Sequence, residues 1–343
     1  MSSFTPLSSH HQHGLRAVWR QRGPLAWLLW PLSFIYGSLQ GWNAKRMRNH
    51  QQSAGVPVIV VGNVIAGGAG KTPVTQAVVA HLQSKGWQPG IISRGYGRKI
   101  ENGQDCREAL ADSPASEVGD EPALLARSTG VPVFVATKRI DAAWAMRQRY
   151  PQINVIVSDD GLQHLRLARD VELCVFNDEG TGNGFLLPAG PLREPWPRTV
   201  TAVLYAGTPP HPAGSSPTFA LQRNLASQAR NGHGQSIALK DLSDRPIEAV
   251  AAVARPESFF AMLATQGVPP AATQALPDHY DFESFNRKLG KENPLICTEK
   301  DAIKLWRKHP DAWAVPLQLQ LPDEFWRLLD TRLAAVCATD RTG

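Results

Sequence analysis

From residue 56 the chain alternates short apolar, β-branched runs with helix-patterned segments: PVIVVGN, TPVTQAVVAHLQSKG, PGIIS, EPALLARSTG, VPVFVAT, RIDAAWAMRQRY and INVIVSDD. This alternation constrains the fold more than any other feature. Parallel strands need crossovers, and the helices that supply them cover both faces of the sheet. The expectation is α/β, a three-layer α/β/α domain on a parallel sheet, with VELCVFN and TAVLYAG as two further strands. The stretch TPPHPAGSSP (208–217), dense in proline, glycine and serine, marks a boundary. Beyond it PIEAVAAVA and NPLICT read as strands, and ESFFAMLATQG, DAIKLWRK and PDEFWRLLDTRLAAV as helices, of a second, smaller α/β domain.

At the first strand-to-helix junction stands 66-AGGAGKTP-73. The general phosphate-loop template, G-x-x-x-x-G-K-[ST], fits Gly70, Lys71 and Thr72 but meets Ile65 where it wants its first glycine. The position is the right one. Glycines there let backbone N–H groups face phosphate oxygens, and the helix N-terminus adds partial positive charge. The lysine reaches the β/γ-phosphates and the threonine hydroxyl ligates Mg²⁺. A second signal is 158-SDDGLQH-164, an apolar strand ending in two acids, which places Asp159 or Asp160 where P-loop proteins hold their metal. By chemistry alone 119-GDEP-122 is what helix capping produces, and the histidine of 278-DHYD-281 is either an orienting group between carboxylates or a surface side chain.

The N-terminal stretch 24-PLAWLLWPLSFIYGSLQGW-42 is apolar and aromatic, with Arg16, Arg20 and Arg22 before it and Lys45, Arg46 and Arg48 after it. No A-x-A cleavage site follows, and Pro31, Ser33, Gly37, Ser38 and Gln40 argue against a full span. Two arrangements fit: a helix lying in a membrane interface, or one packed on the protein's own core. The His/Ser-rich residues ahead of it read as disordered.

Net charge of +6 and a pI near 9.2 favour anionic partners without choosing among phosphates, nucleic acid and membrane. The cations form no aromatic-interleaved patch, which counts against a nucleic-acid binder. The absence of an N-K-x-D stretch counts against a GTPase switch, the rival class for a phosphate loop. Cys106, Cys174, Cys297 and Cys337 make no C-x-x-C pair, so neither a zinc site nor a disulfide framework is expected, and Cys174 and Cys297 read as buried structural thiols.

Taken together, eight stretches in order resemble the tetraacyldisaccharide 4′-kinase family of lipid A synthesis: 61-VGNVIAGGAGKTP-73, 92-ISRGYGR-98, GDEP, SDDGLQH, 187-LPAGPLREP-195, 253-VARPESFF-260, 278-DHYDF-282 and 298-TEKDAIKL-305. The family also lacks the first loop glycine, so Ile65 is no departure. The resemblance implies transfer of the ATP γ-phosphoryl group to the 4′-hydroxyl of an acylated glucosamine disaccharide 1-phosphate, forming lipid IV-A. It further implies a peripheral location on the cytoplasmic face of the inner membrane, with no nucleic acid or protein partner. The loop Ile65, Ala66, Gly67, Gly68, Ala69, Gly70, Lys71 and Thr72 is then the nucleotide site, and Thr72, Asp159 and Asp160 the Mg²⁺ ligands. Asp120 and His279 become the pair that activates the sugar hydroxyl, with Arg94, Tyr96, Glu121 and His164 near the site. The implied domains are an apolar, basic, membrane-associating segment (1–50), a P-loop kinase domain (51–210) and a C-terminal α/β domain (211–343) that closes over the active site. On that division Asp120 and His279 meet only on closure.

Overall fold

The structure, a computed structural model, describes residues 18–67, 70–100, 105–212, 214–278 and 280–339. Gly68, Ala69, His279 and the His/Ser-rich first residues lie outside the described residues.

In chain order the elements are α1 (Pro24–Arg48), β1 (Val58–Gly62), α2 (Lys71–Ser84), β2 (Pro89–Ser93), β3 (Arg107–Ala109), α3 (Ala115–Val118), α4 (Asp120–Thr129), β4 (Val133–Val135), α5 (Arg139–Arg149), β5 (Val155–Asp159), β6 (Val171–Phe176), β7 (Ala202–Tyr205) and β8 (Thr218–Ala220). There follow β9 (Gln222–Leu225), β10 (Gln228–Arg230), β11 (Ser236–Ala238), β12 (Glu248–Ala251), α6 (Pro256–Thr265), β13 (Ala272–Ala275), β14 (Leu295–Thr298), α7 (Glu299–Leu305), β15 (Trp313–Val315), β16 (Leu317–Gln320) and α8 (Asp323–Thr339). They form two compact units that are not continuous in sequence. One takes the chain up to Lys71, Val155–Leu221 and the chain from Leu321; the other takes Thr72–Asn154 and Gln222–Gln320.

The first unit holds parallel strands in the order β5-β1-β6-β7-β8. β1 and β5 are buried at every position, as a two-face-covered parallel strand demands of its sequence. Their register sets Val61 opposite Asp159, so both strands end level and deliver their following loops to one edge. Phe325 of α8 is fully buried and meets Phe219 edge to face, with ring centroids 5.7 Å apart.

Helix α1 turns its small residues inward. Ala26 and Ser33 are buried, and a Cβ on Gly37 would come within 2.7 Å of Leu186. The Ser33 hydroxyl donates to the Leu186 carbonyl at 2.7 Å and accepts the Ala189 N–H, while Tyr36 donates to the Arg193 carbonyl at 3.0 Å. The large apolar side chains, Leu25, Leu28, Leu32, Ile35, Leu39 and Trp42, recur every three or four residues on the opposite, exposed face. Among the described residues no helix is long and apolar enough to cross a membrane.

In the second unit β3, β4 and β2 pair side by side, β2 with β4 parallel and β3 antiparallel at the end. A six-stranded sheet runs β11-β10-β15-β14-β12-β13, its four strands β15, β14, β12 and β13 parallel. Period-two alternation sorts its residues: Ala249, Ala251, Ile296 and Val315 pack with Phe259 and Leu263 of α6, whereas Val250, Leu295, Cys297 and Ala314 pack with Ala302 and Leu305 of α7. The α/β expectation and the apolar stretches assigned to β12, α6, β14, α7 and α8 are all found. Cys174 and Cys297 are free and buried, and burial pushes both thiols up and away from reactivity.

Candidate active site

β1 gives way at Gly62 to the loop that α2 takes over at Lys71. Gly67 (φ 106°) and Gly70 (φ 73°) occupy left-handed backbone that side-chain-bearing residues resist. Ile65, in the place of the missing glycine, is buried and pairs its backbone with Leu192. On either side, Ala66 N donates to Pro191 O and Arg193 N to Val64 O, each at 2.7 Å. The 187–195 stretch therefore braces the phosphate loop from its side. Ile65 serves as a buried anchor there, which explains physically why a glycine is dispensable at that position.

Lys71, only 10% exposed, points its Nζ to within 3.4 Å of both Asn63 Oδ1 and Asp160 Oδ1. Arg193 reaches the same oxygens: its Nη2 donates to Asn63 O at 2.9 Å, to Asn63 Oδ1, and to Asp160 Oδ1 at 3.4 Å. Asn63, fully buried, donates from Nδ2 to Gly67 O at 3.2 Å and so holds the loop backbone in turn. Asp159 ends β5 fully buried. Asp160 follows at φ 49° with its side chain 36% exposed. Burial opposes the charge of Asp160, yet Lys71 and then Arg193 overcome it and hold the carboxyl below its usual value. Two cations thus converge on one ionised carboxylate beside a glycine loop.

Behind this cluster runs a ladder of polar side chains. Gln163 Nε2 donates to Asn63 O (3.0 Å) and Glu194 Oε1 (2.7 Å), Arg198 bridges Glu194 and Glu172, and Arg169 pairs with Glu172 at 3.2 Å. Arg169 also donates to the carbonyls of Leu162 and His164, pinning the turn that carries the two aspartates. His164 is partly buried within that turn. Asn63, Gln163, Arg193 and Glu194 were not singled out from the sequence as site residues. Only the recurrence of VGN, DDGLQH and LPAGPLREP as motif stretches hinted at them.

A second cluster lies within the other unit. Asp120 opens α4 just after Gly119 (φ 97°), whose missing Cβ would come within 2.9 Å of Tyr96 O; the missing Cβ of Gly95 would come within 2.6 Å of Val118 O. The SRGYGR and GDEP turns interlock on these two glycines. The N-cap position belongs to Gly119 and carries no side-chain cap, and Asp120 instead accepts Lys304 Nζ at 2.8 Å. The capping reading of GDEP therefore gives way to an ion pair. Lys300, one turn earlier on α7, meets Asp278 Oδ1 at 3.2 Å. Asp120 and Asp278, the chain neighbour of His279, thus belong to one unit and are gripped by one helix. Arg94 and Tyr96 are exposed, the latter by 70%, and Glu121 is partly buried.

Among the described residues no group of three or more His, Cys, Asp or Glu gathers as a metal site. Mg²⁺ asks for less: one or two carboxylates with hydroxyl, phosphate and water oxygens, a hard donor set that Asp159, Asp160 and Thr72 fit. Thr72 is the second residue of α2 and partly buried.

A parallel α/β fold whose glycine–lysine loop opens a helix, with a strand-end aspartate pair of which Asp160 is held by Lys71 and Arg193, defines the P-loop class of phosphate-handling proteins. The family model for tetraacyldisaccharide-1-P 4′-kinase matches residues 25–334. Similar proteins include the tetraacyldisaccharide 4′-kinases of Delftia acidovorans, 64% identical over 94% of this chain and 95% of that protein, and of Acidovorax sp. (strain JS42), 58% identical over 95% and 96%. A crystal structure of LpxK from Aquifex aeolicus in complex with ATP is similar with a TM-score of 0.77 and 26% identity, covering 90% of this chain and 99% of that one. The chain belongs to the tetraacyldisaccharide 4′-kinase family, enzymes of lipid A biosynthesis.

Proposed function

We propose that this protein transfers the γ-phosphoryl group of ATP to the 4′-hydroxyl of a tetraacylated glucosamine disaccharide 1-phosphate, giving lipid IV-A and ADP. The observation that carries the proposal is the Lys71–Asp160–Arg193–Asn63 cluster at the glycine loop of a member of this kinase family. Phosphoryl transfer asks chiefly for positioning and charge neutralisation, and the cluster supplies both. Lys71 and Arg193 meet the β/γ-phosphate charge, with loop N–H groups at the α2 N-terminus adding to it. Thr72, Asp159 and Asp160 would hold Mg²⁺, which would supply charge neutralisation at the phosphate oxygens. The O4′–Pγ bond forms as the bond to the β-phosphate oxygen breaks, and the hydroxyl proton passes to Asp120, which acts with His279. The test is ATP-dependent phosphorylation of the disaccharide in detergent micelles, scored as a new lipid phosphate.

Arg193→Met is expected to raise KM for ATP by roughly tenfold or more, since hydrogen bonds to charged groups are worth about 1.5–3 kcal/mol. Arg193→Lys is expected not to restore it, because the shorter lysine stem does not carry a donor to the place of Nη2, which meets Asn63 O, Asn63 Oδ1 and Asp160 Oδ1 together. Steady-state kinetics with varied ATP check both; an unchanged KM in Arg193→Met removes Arg193 from the phosphate site.

We further propose that the protein works peripherally on the cytoplasmic face of the inner membrane through α1. The exposed face from Leu25 to Trp42 enters the headgroup boundary, and Lys45, Arg46 and Arg48 in its last turn meet anionic lipid. Leu28→Glu, Ile35→Glu and Leu39→Glu together remove three buried side chains from the interface at about 1.5 kcal/mol or more each, and are expected to weaken binding to anionic vesicles at least ~10²-fold. Co-sedimentation equal to the unaltered protein would sink the proposal.

A further inference from the structure

Helix α7 stands out because two of its lysines, Lys300 and Lys304, pair with carboxylates of both the DHYD and the GDEP stretches within the second unit. Thr298 caps its start by accepting the Asp301 N–H, and the buried Asp301 carboxylate accepts the Ala252 N–H, so the helix is fixed to β12 and β14. Ala302 and Leu305 bury its inner face against the sheet. From this rigid base Lys304 extends to Asp120 with Nζ–Oδ2 of 2.8 Å, both side chains largely buried at 17% and 13% exposure. Lys300, four residues earlier, extends to Asp278 at 3.2 Å. The backbone just before Asp120 is closely packed too, since a Cβ on Gly119 would come within 2.9 Å of Tyr96 O.

We propose that Lys304 is a positioning residue for phosphoryl transfer: it fixes the Asp120 carboxylate, and with Lys300 makes α7 the common anchor of the two acid–base stretches. The inference rests on the reading of Asp120 as the group that accepts the hydroxyl proton. The physical argument is orientational. A general base must lie within hydrogen-bond reach of the proton it takes, and a free carboxylate rotates about two side-chain bonds. A charge-assisted donor on one oxygen fixes that rotation and so the orientation of the whole carboxylate. Displacement of a catalytic group by about 1 Å can cost 10²-fold in rate, so loss of this donor is felt in kcat.

The experiment is steady-state kinetics of the full chain with ATP and the lipid acceptor in mixed micelles, on Asp120→Asn, Lys304→Met, Lys304→Arg and the Asp120→Asn/Lys304→Met double variant, with thermal midpoints recorded. Lys304→Met is expected to lower kcat by roughly 10²-fold with KM for ATP unchanged, because the loss falls on the positioning of the base and not on the nucleotide. Lys304→Arg, which keeps a charged donor, is expected to recover most of that loss. In the Asp120→Asn background Lys304→Met is expected to add no further loss, as two members of one unit are not additive. A wild-type kcat in Lys304→Met overturns the inference while Asp120→Asn stays impaired. So does a loss of the same size in both backgrounds, or a loss that follows a fallen thermal midpoint and is not recovered by arginine. Full activity in Asp120→Asn overturns the reading beneath it, and the inference with it.

Discussion

Lys71→Ala is expected to lower kcat/KM for ATP by about 10²- to 10³-fold, the range seen when one preorganised donor is removed from a charge-stabilising site. In the structure Lys71 is nearly buried and shares Asp160 with Arg193. Its removal takes away half of the side-chain positive charge that a nucleotide triphosphate would meet in this cluster. It also releases Asp160 from the stronger of the two cations holding its carboxyl down. Arginine at 71 is not a remedy, because the Arg193 guanidinium already meets Asn63 and Asp160 from its own side and a second, bulkier guanidinium would compete for the oxygens that the compact Lys71 ammonium reaches. Kinetics at varied ATP and saturating lipid measure the effect. A variant as efficient as the unaltered protein would mean that the glycine–lysine loop does not serve the phosphates.

The second large effect is expected from Asp120→Asn: a fall in kcat of about 10²- to 10⁴-fold, the usual contribution of a general base, with KM for ATP unchanged. The substitution isolates the proton-accepting role. Asparagine is isosteric and its oxygen still accepts the Lys304 hydrogen bond, so the interlocked Gly95 and Gly119 turns keep their partners. What it lacks is a carboxylate to receive a proton. If kcat stays at the unaltered level with both substrates saturating, Asp120 is not the base, and the ion pair to Lys304 is a structural contact alone.

The parts of this arrangement that sequence made legible are those whose chemistry is local. A strand, a glycine turn and a helix opening on Lys71 are contiguous, and an apolar strand that ends in Asp159 and Asp160 announces its edge of the sheet. Asn63 was not legible because a single asparagine after a buried strand is ordinary. Its importance appears only when Arg193 and Gln163, far apart in the chain, are brought to the same atoms. Helix α1 was ambiguous for a different reason. Its inward face is made of Ala26, Ser33 and Gly37, small residues whose spacing is masked by the surrounding tryptophans and leucines, and it is hydrogen bonds to Leu186 and Arg193 that reveal which face packs. That 72–154 packs with 222–320 is likewise not visible in a linear pass, because the two stretches lie far apart in the chain. Lys304 is invisible to that pass, since a lysine in an amphipathic helix reads as a solvated side chain until its carboxylate partner arrives from 184 positions upstream.

The account turns on one claim, that the Lys71 loop delivers the ATP γ-phosphate to the 4′-hydroxyl of the acylated disaccharide. The direct measurement is transfer from γ-labelled ATP to tetraacyldisaccharide 1-phosphate in mixed micelles, with the position of the new phosphate read by phosphorus NMR. A labelled 4′-monoester, formed with one ADP per product and nearly absent with Lys71→Ala, is the predicted result. ATP hydrolysis without any labelled lipid, or label on a position other than the 4′-oxygen, would contradict it.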